Sequence, residues 1–141
     1  MGNFINIEDY DASIHREILD ALTRDDASLV EICEVRAIAE MRCYLSKRYD
    51  CDAIFSAVGD QRNQLVLMMA LDIAIYHIFS IHNPQKLSQL RKDRYDRAVE
   101  WMRAVADEEV SIEGVPLLPE EERAAKAPLM FRSNPKRVNR L

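Results

Sequence analysis

The chain has little of what a loop-rich or β-rich fold needs, with three glycines and five prolines in 141 residues. No proline precedes Pro84, and a long stretch without this helix breaker favours helices. Cysteine is scarce and scattered: Cys33, Cys43 and Cys51 are odd in number and fit no zinc or redox spacing, which leaves free, buried or part-buried thiols as the reading. Glycine-rich phosphate loops, nucleophile elbows and metal-binding cysteine clusters are all missing from the sequence, so it offers no basis for an enzyme, a cofactor or a metal centre. The opening MGNFINIEDY has no basic stretch ahead of an apolar run, and only one segment approaches membrane length. The expected place of work is the cytoplasm.

What the chain does have is that one segment, LVLMMALDIAIYHIFSI from Leu65 to Ile81, seventeen residues with a single formal charge at Asp72. A helix that is apolar all round must be buried in protein or in lipid. At 1.5 Å per residue it would be roughly 26 Å long, against about 30 Å for a bilayer core, and its centre carries an acid. The expectation is an all-α fold, a small helical bundle around a buried central helix over about residues 63–82, rather than a membrane span.

Flanking patterns agree. Asn6 to Asp11 reads as a capped short turn. Ser13 is placed to cap a helix whose buried face would be Ile14, Ile18, Ala21 and Leu22. Asp25 and Asp26 start a longer helix to about Lys47, with Val30, Cys33, Ala37, Met41, Tyr44 and Leu45 on one stripe and Glu31, Glu34, Arg36, Glu40 and Arg42 on a solvated face. A link with one helical turn and the signal Gly59-Asp60 leads to Asn63, cap of the central helix, which Asn83-Pro84 ends. Ser88 opens the last helix, with Leu87, Leu90, Ala98, Trp101 and Val105 inward and Tyr95 and Met102 at the edges.

The net charge of −5 hides a polarity. From Asp107 to Arg123 there are seven acids and one base; from Ala124 to Leu141 there are five bases and no acid. Glycine and four prolines punctuate this stretch, so the expected division is a helical domain over 1–107 and an extended charged C-terminal arm over 108–141. In that arm Phe131, Arg132, Lys136, Arg137 and Arg140 combine an aromatic anchor with bases, which suits docking on a protein or on a phosphate backbone; a solubilising end is the plainer alternative.

Asp72 needs a partner if it is buried. Arg94 falls on the apolar stripe of the last helix, and an Asp72–Arg94 ion pair fixing helix register is the simplest resolution. No nucleophile, histidine or second carboxylate lies one turn from Asp72, which speaks against catalysis. His77 and His82, five apart, face different ways and do not make a metal pair. Trp101, Tyr95, Phe79, Tyr76 and Met68-Met69 are explained by core packing before any ligand pocket.

The order FINIEDY, EILDALTRDD, YDCDAIFSAVGDQRN, DIAIYHIFSI, RYDRAVEWMRAVADEEV and SNPKRVNR resembles the Mu-like phage and prophage family of small helical head-to-tail joining proteins. The resemblance covers nearly the whole chain; the acids at Asp107–Glu109 and Glu120–Glu122 depart from the family pattern. It implies a virion structural role, a head-completion adaptor forming a homo-oligomeric ring between portal and tail at the head-tail junction. DNA would pass through without sequence-specific binding, and no membrane would be involved. The alternative is an assembly chaperone outside the virion, or a small regulator whose basic arm contacts nucleic acid. The best recognition-helix candidate, Arg91 to Arg103, interleaves Asp93, Asp96 and Glu100 with its arginines, which blunts a DNA-binding face.

Overall fold

The computed structural model describes residues 4–23, 27–82 and 84–120, with the side chains of 21–23, 27 and 86 left aside. Five α-helices carry the fold: α1 (Arg16–Thr23), α2 (Ala27–Leu45), α3 (Cys51–Ser56), α4 (Gln64–His82) and α5 (Gln89–Ala106). Short 3₁₀ turns at Ile7–Ala12, Gly59–Gln61 and Pro84–Lys86 join them. Among the described residues there is no strand, only one isolated antiparallel bridge between Tyr49 and Leu117. The protein is an all-α bundle.

The apolar segment is α4, and it sits at the centre. Asn63 caps it, its Oδ1 accepting the Val66 N–H at 3.0 Å. Helices α2 and α5 pack on α4 and on each other, α1 packs on α4, and α3 closes against α2. Eleven α4 residues from Val66 to Phe79 are buried; although α4 is long and apolar enough to cross a bilayer, most of it is enclosed by protein. The α2 stripe falls as its period predicts, with Val30, Cys33, Ala37, Met41 and Leu45 buried and Tyr44 packed at the margin.

Three expectations shift. The first helix begins at Arg16 instead of after Ser13, so Ile14 lies outside its phase; Ile14 and Leu19 are buried while Ile18 is exposed. On α5 the stripe is Ala98, Met102 and Val105, one side of the helix at four- and three-residue steps. Met102 is fully buried, Trp101 only partly so, as suits a side chain too large to enclose easily, and Leu90 in the first turn is exposed.

The third difference concerns the extension expected from residue 108. α5 ends with Glu108 in the left-handed region at φ 63°, where the chain turns back, the Glu109 N–H closing on the Ala104 carbonyl at 2.9 Å. Residues 110–118 then run along the body. Ile112 is buried, and its N–H donates to the Tyr49 hydroxyl at 2.8 Å. Asp50 N–H donates to the Pro116 carbonyl at 3.0 Å and Leu118 N–H to the Arg48 carbonyl at 2.9 Å. The stretch 108–118 is therefore tied down, because its backbone finds donors and acceptors at the α2–α3 junction.

Candidate functional site

Asp72 is 4% exposed in the middle of α4 and is ion-paired. Its partner is Arg97, Nη2 to Oδ2 at 2.5 Å, and not Arg94 as the stripe suggested. Long side chains on a helix lean toward its N-terminus, so the guanidinium reaching a given level comes from a residue further along than the one whose backbone lies there. Burial raises the Asp72 carboxyl above its usual range; the Arg97 hydrogen bond and charge, then the charges of Arg94 and Arg91, pull it back. Arg94 acts on Asp72 through space. Arg91 reaches across to α1's approach, its Nη2 donating to the Ser13 carbonyl at 2.6 Å.

This junction opens into a groove of about 570 Å³ whose lining includes Leu67, Met68 and Leu71, the acids Glu8, Asp9 and Asp72, and the bases Arg94 and Arg97. A second groove, about 410 Å³, lies between the N-terminal residues Phe4 and Ile5, Val35 and Ile38 of α2, and Phe55 of α3. Glu31, Glu34 and Asp52 edge it. Arg42, the base beside them, is held by Asp52 at 3.0 Å and by the Phe55 ring.

Two acids assigned by pattern to the solvated face of α2 are working inside. Glu34 accepts the Tyr10 hydroxyl at 2.7 Å in a buried pair. Burial raises the Glu34 carboxyl, the Tyr10 bond opposes that, and Glu31 and Asp9 add to it; burial likewise holds the Tyr10 hydroxyl well above its ordinary range. Glu40 accepts the Tyr95 hydroxyl at 2.8 Å and lies 3.3 Å from His77 Nε2. Tyr76 and Tyr95 stack with centroids 4.1 Å apart, so His77 belongs to an aromatic and carboxylate knot joining α2, α4 and α5.

Sequence reasoning did not single out three arginine and asparagine ties that make the body rigid. Arg62 pairs with Asp9 through both guanidinium nitrogens, at 2.6 and 3.2 Å, and also donates to the Phe4 carbonyl at 2.9 Å. Burial alone would raise Asp9, but the Arg62 bond, the Asn6 N–H and the Arg62 charge outweigh it and hold the carboxyl below its usual range. Arg48 donates to the Val105 carbonyl at 3.2 Å and the Val110 carbonyl at 3.3 Å. Asn63, besides capping α4, donates from Nδ2 to the Glu113 carbonyl at 3.1 Å. The clue for Arg62 was present: a base just before a helix cap and an acid in a capped turn.

Among the described residues no group of three or more His, Cys, Asp or Glu side chains is placed to hold a metal ion. What the geometry offers is surface: two open grooves, each with more acids than bases along it, on a cross-tied body whose C-terminal stretch is held as far as Leu118. The expected arm residues Phe131, Arg132, Lys136, Arg137 and Arg140 lie outside the described residues.

No curated protein and no solved structure matches the chain. A protein-family model does, across residues 4–131, taking in the whole helical body and Leu129–Phe131 while stopping short of the basic stretch from Arg132. By that match the chain belongs to the bacteriophage Mu, Gp36 family.

Proposed function

We propose that this phage-family protein is a head-tail adaptor of the virion: copies form a ring between portal and tail, and the C-terminal segment makes contacts beyond its own subunit. The observation that carries the reading is the anchoring of 108–118 at Arg48, Tyr49, Asp50 and Asn63. It fixes where the C-terminal chain departs. A ring subunit needs a rigid body to set the angle to its neighbour and a surface that differs from the one it meets, since such heterologous contacts close into rings. The Arg62–Asp9, Asp72–Arg97 and Glu40–Tyr95 ties supply the rigidity.

Charge supports the same reading. The chain is acidic overall, at −5, and an acidic lining keeps DNA phosphates from sticking as they pass. The bases Arg132, Lys136, Arg137 and Arg140 then face acidic protein surface on a neighbour, with portal and tail proteins as the partners and the head-tail junction as the location.

The test is a phage carrying the chain truncated after Ala127. Circular dichroism of the truncated protein should show the helical body intact, while heads and tails accumulate unjoined and full-length protein restores plaques. Normal virion yield from the truncated allele would overturn the adaptor reading of the segment.

A further inference from the structure

In the groove between Phe4, Ile5, α2 and α3, Phe4, Ile5 and Phe55 are buried and Ile38 is part-buried, and the apolar surface open to solvent is on α2. Val35 at its edge is 63% exposed, and Ile32, one turn earlier on α2, is 46% exposed. Glu31 and Asp52 are exposed among its lining residues, Asp52 already pairing with Arg42 at 3.0 Å, and with Glu34 they leave the groove with three acids to one base. A peptide that fits must bring apolar side chains for the α2 surface and bases for the acids.

The chain carries such a peptide. Ala127-Pro128-Leu129-Met130-Phe131 is an apolar run of five, bracketed by Lys126 and Arg132, and the longest such run after Leu118. The last backbone tie, Leu118 N–H to the Arg48 carbonyl, lies three residues before α3, which forms one wall of the groove. From there a chain extends at most about 3.5 Å per residue, so the dozen residues to Met130 span up to roughly 40 Å. A body of this size has a radius of gyration of about 14 Å. A tether of that length is long enough for the run to reach the groove of its own subunit.

We propose that this groove is the docking site of the chain's own segment Ala127–Phe131, with the Leu129, Met130 and Phe131 side chains over Val35, Ile38 and Phe55, and with Lys126 and Arg132 toward Glu31 and Asp52. Tethering favours the subunit's own segment over a second copy, because a linker of this length gives an effective concentration in the millimolar range. Docking there covers Val35 and withholds the apolar run from other partners until a competing contact displaces it. The proposal concerns the free chain and stands apart from the adaptor reading.

Full-length protein with Phe131→p-benzoylphenylalanine, irradiated at low micromolar concentration and digested, tests it by mass spectrometry. The expected cross-links join the C-terminal peptide to residues 31–38 or 52–56. In an equal mixture of ¹⁵N-labelled and unlabelled protein they join peptides of the same isotope. Val35→Lys, a good helix former at an exposed position, should keep the helical dichroism and cut those cross-links at least tenfold. Cross-links scattered over the surface, cross-links between isotopes, or a yield that Val35→Lys leaves unchanged would each overturn the proposal.

Discussion

Arg97 reaches Asp72 at 2.5 Å across the α4–α5 contact, one helical turn beyond the arginine that the hydrophobic pattern nominates. The acid is almost wholly enclosed, while the arginine side chain is half exposed. Such a pair adds little net stability, yet it fixes one register of α5 on α4, because an unpaired buried carboxylate is costly.

A double-mutant cycle separates the two arginines. Asp72→Asn with Arg97→Met should show a coupling of about 1 kcal/mol, modest because Arg97 faces water on one side. Asp72→Asn with Arg94→Met should be additive within about 0.5 kcal/mol. Urea denaturation of the six proteins reads both values, and equal couplings would show that Arg94 shares the pair.

The Tyr10–Glu34 pair gives a pH signature. Its carboxyl titrates above the ordinary glutamate value of about 4.3 in the folded protein, so the native state keeps a proton that the unfolded chain has released. The stabilisation is full below that ordinary value and is lost as pH rises through the folded one. Glu34→Gln keeps an acceptor for the Tyr10 hydroxyl and has nothing to titrate. Its stability relative to the natural protein should therefore rise as pH climbs above the ordinary glutamate range, and level off once pH has passed the raised folded-state value. Denaturation midpoints at several pH values check the sign, and a constant gap between the two proteins contradicts it.

At the end of α5 the backbone asks for a residue that the chain does not use. Glu108 holds φ 63°, a conformation glycine adopts without strain. Its ion pair with Arg48 is long, at 3.9 Å, and Glu108 is 74% exposed, so little is lost with the side chain. Glu108→Gly should raise stability by about 0.5–1 kcal/mol, seen as a higher melting temperature.

How the chain after α5 is held can be probed at Ile112. Ile112→Ala removes a buried side chain and should destabilise by about 2–4 kcal/mol. Tyr49→Phe deletes the acceptor of the Ile112 N–H and should cost about 1 kcal/mol. In both variants hydrogen exchange at the Leu118 and Asp50 amides should accelerate before that of α4. Unchanged exchange there would mean that 110–118 is fixed by other contacts.

These positions show where the sequence was readable. The α4 apolar run, its Asn63 cap and the α2 stripe were legible because residue type and spacing alone specify them. Glu34 and Glu40 were not: each was placed on a polar face by period, while its partner, Tyr10 or Tyr95, lies 24 or 55 residues away. The return of 110–118 was hidden for another reason. It is bound largely through its own backbone groups, met by the side chains of Arg48, Tyr49 and Asn63 and the backbone of Arg48 and Asp50, so its own residue types carry little signal of the contact and a proline-broken acidic stretch looked free. The Asp72 pairing was half legible, since burial demands a cation but the lean of a helical side chain decides which one. Phe131 and the bases of the C-terminal segment could be named from composition; the groove of Phe4, Val35 and Phe55 could not, since it needs three elements brought together by folding.

The adaptor account is tested most directly by quantitative mass spectrometry of purified virions, combined with antibody labelling in electron micrographs. It predicts a fixed number of copies per particle, all at the head-tail junction. Complete absence from finished virions, with the protein confined to assembly intermediates, would contradict it and identify the chain as an assembly chaperone instead.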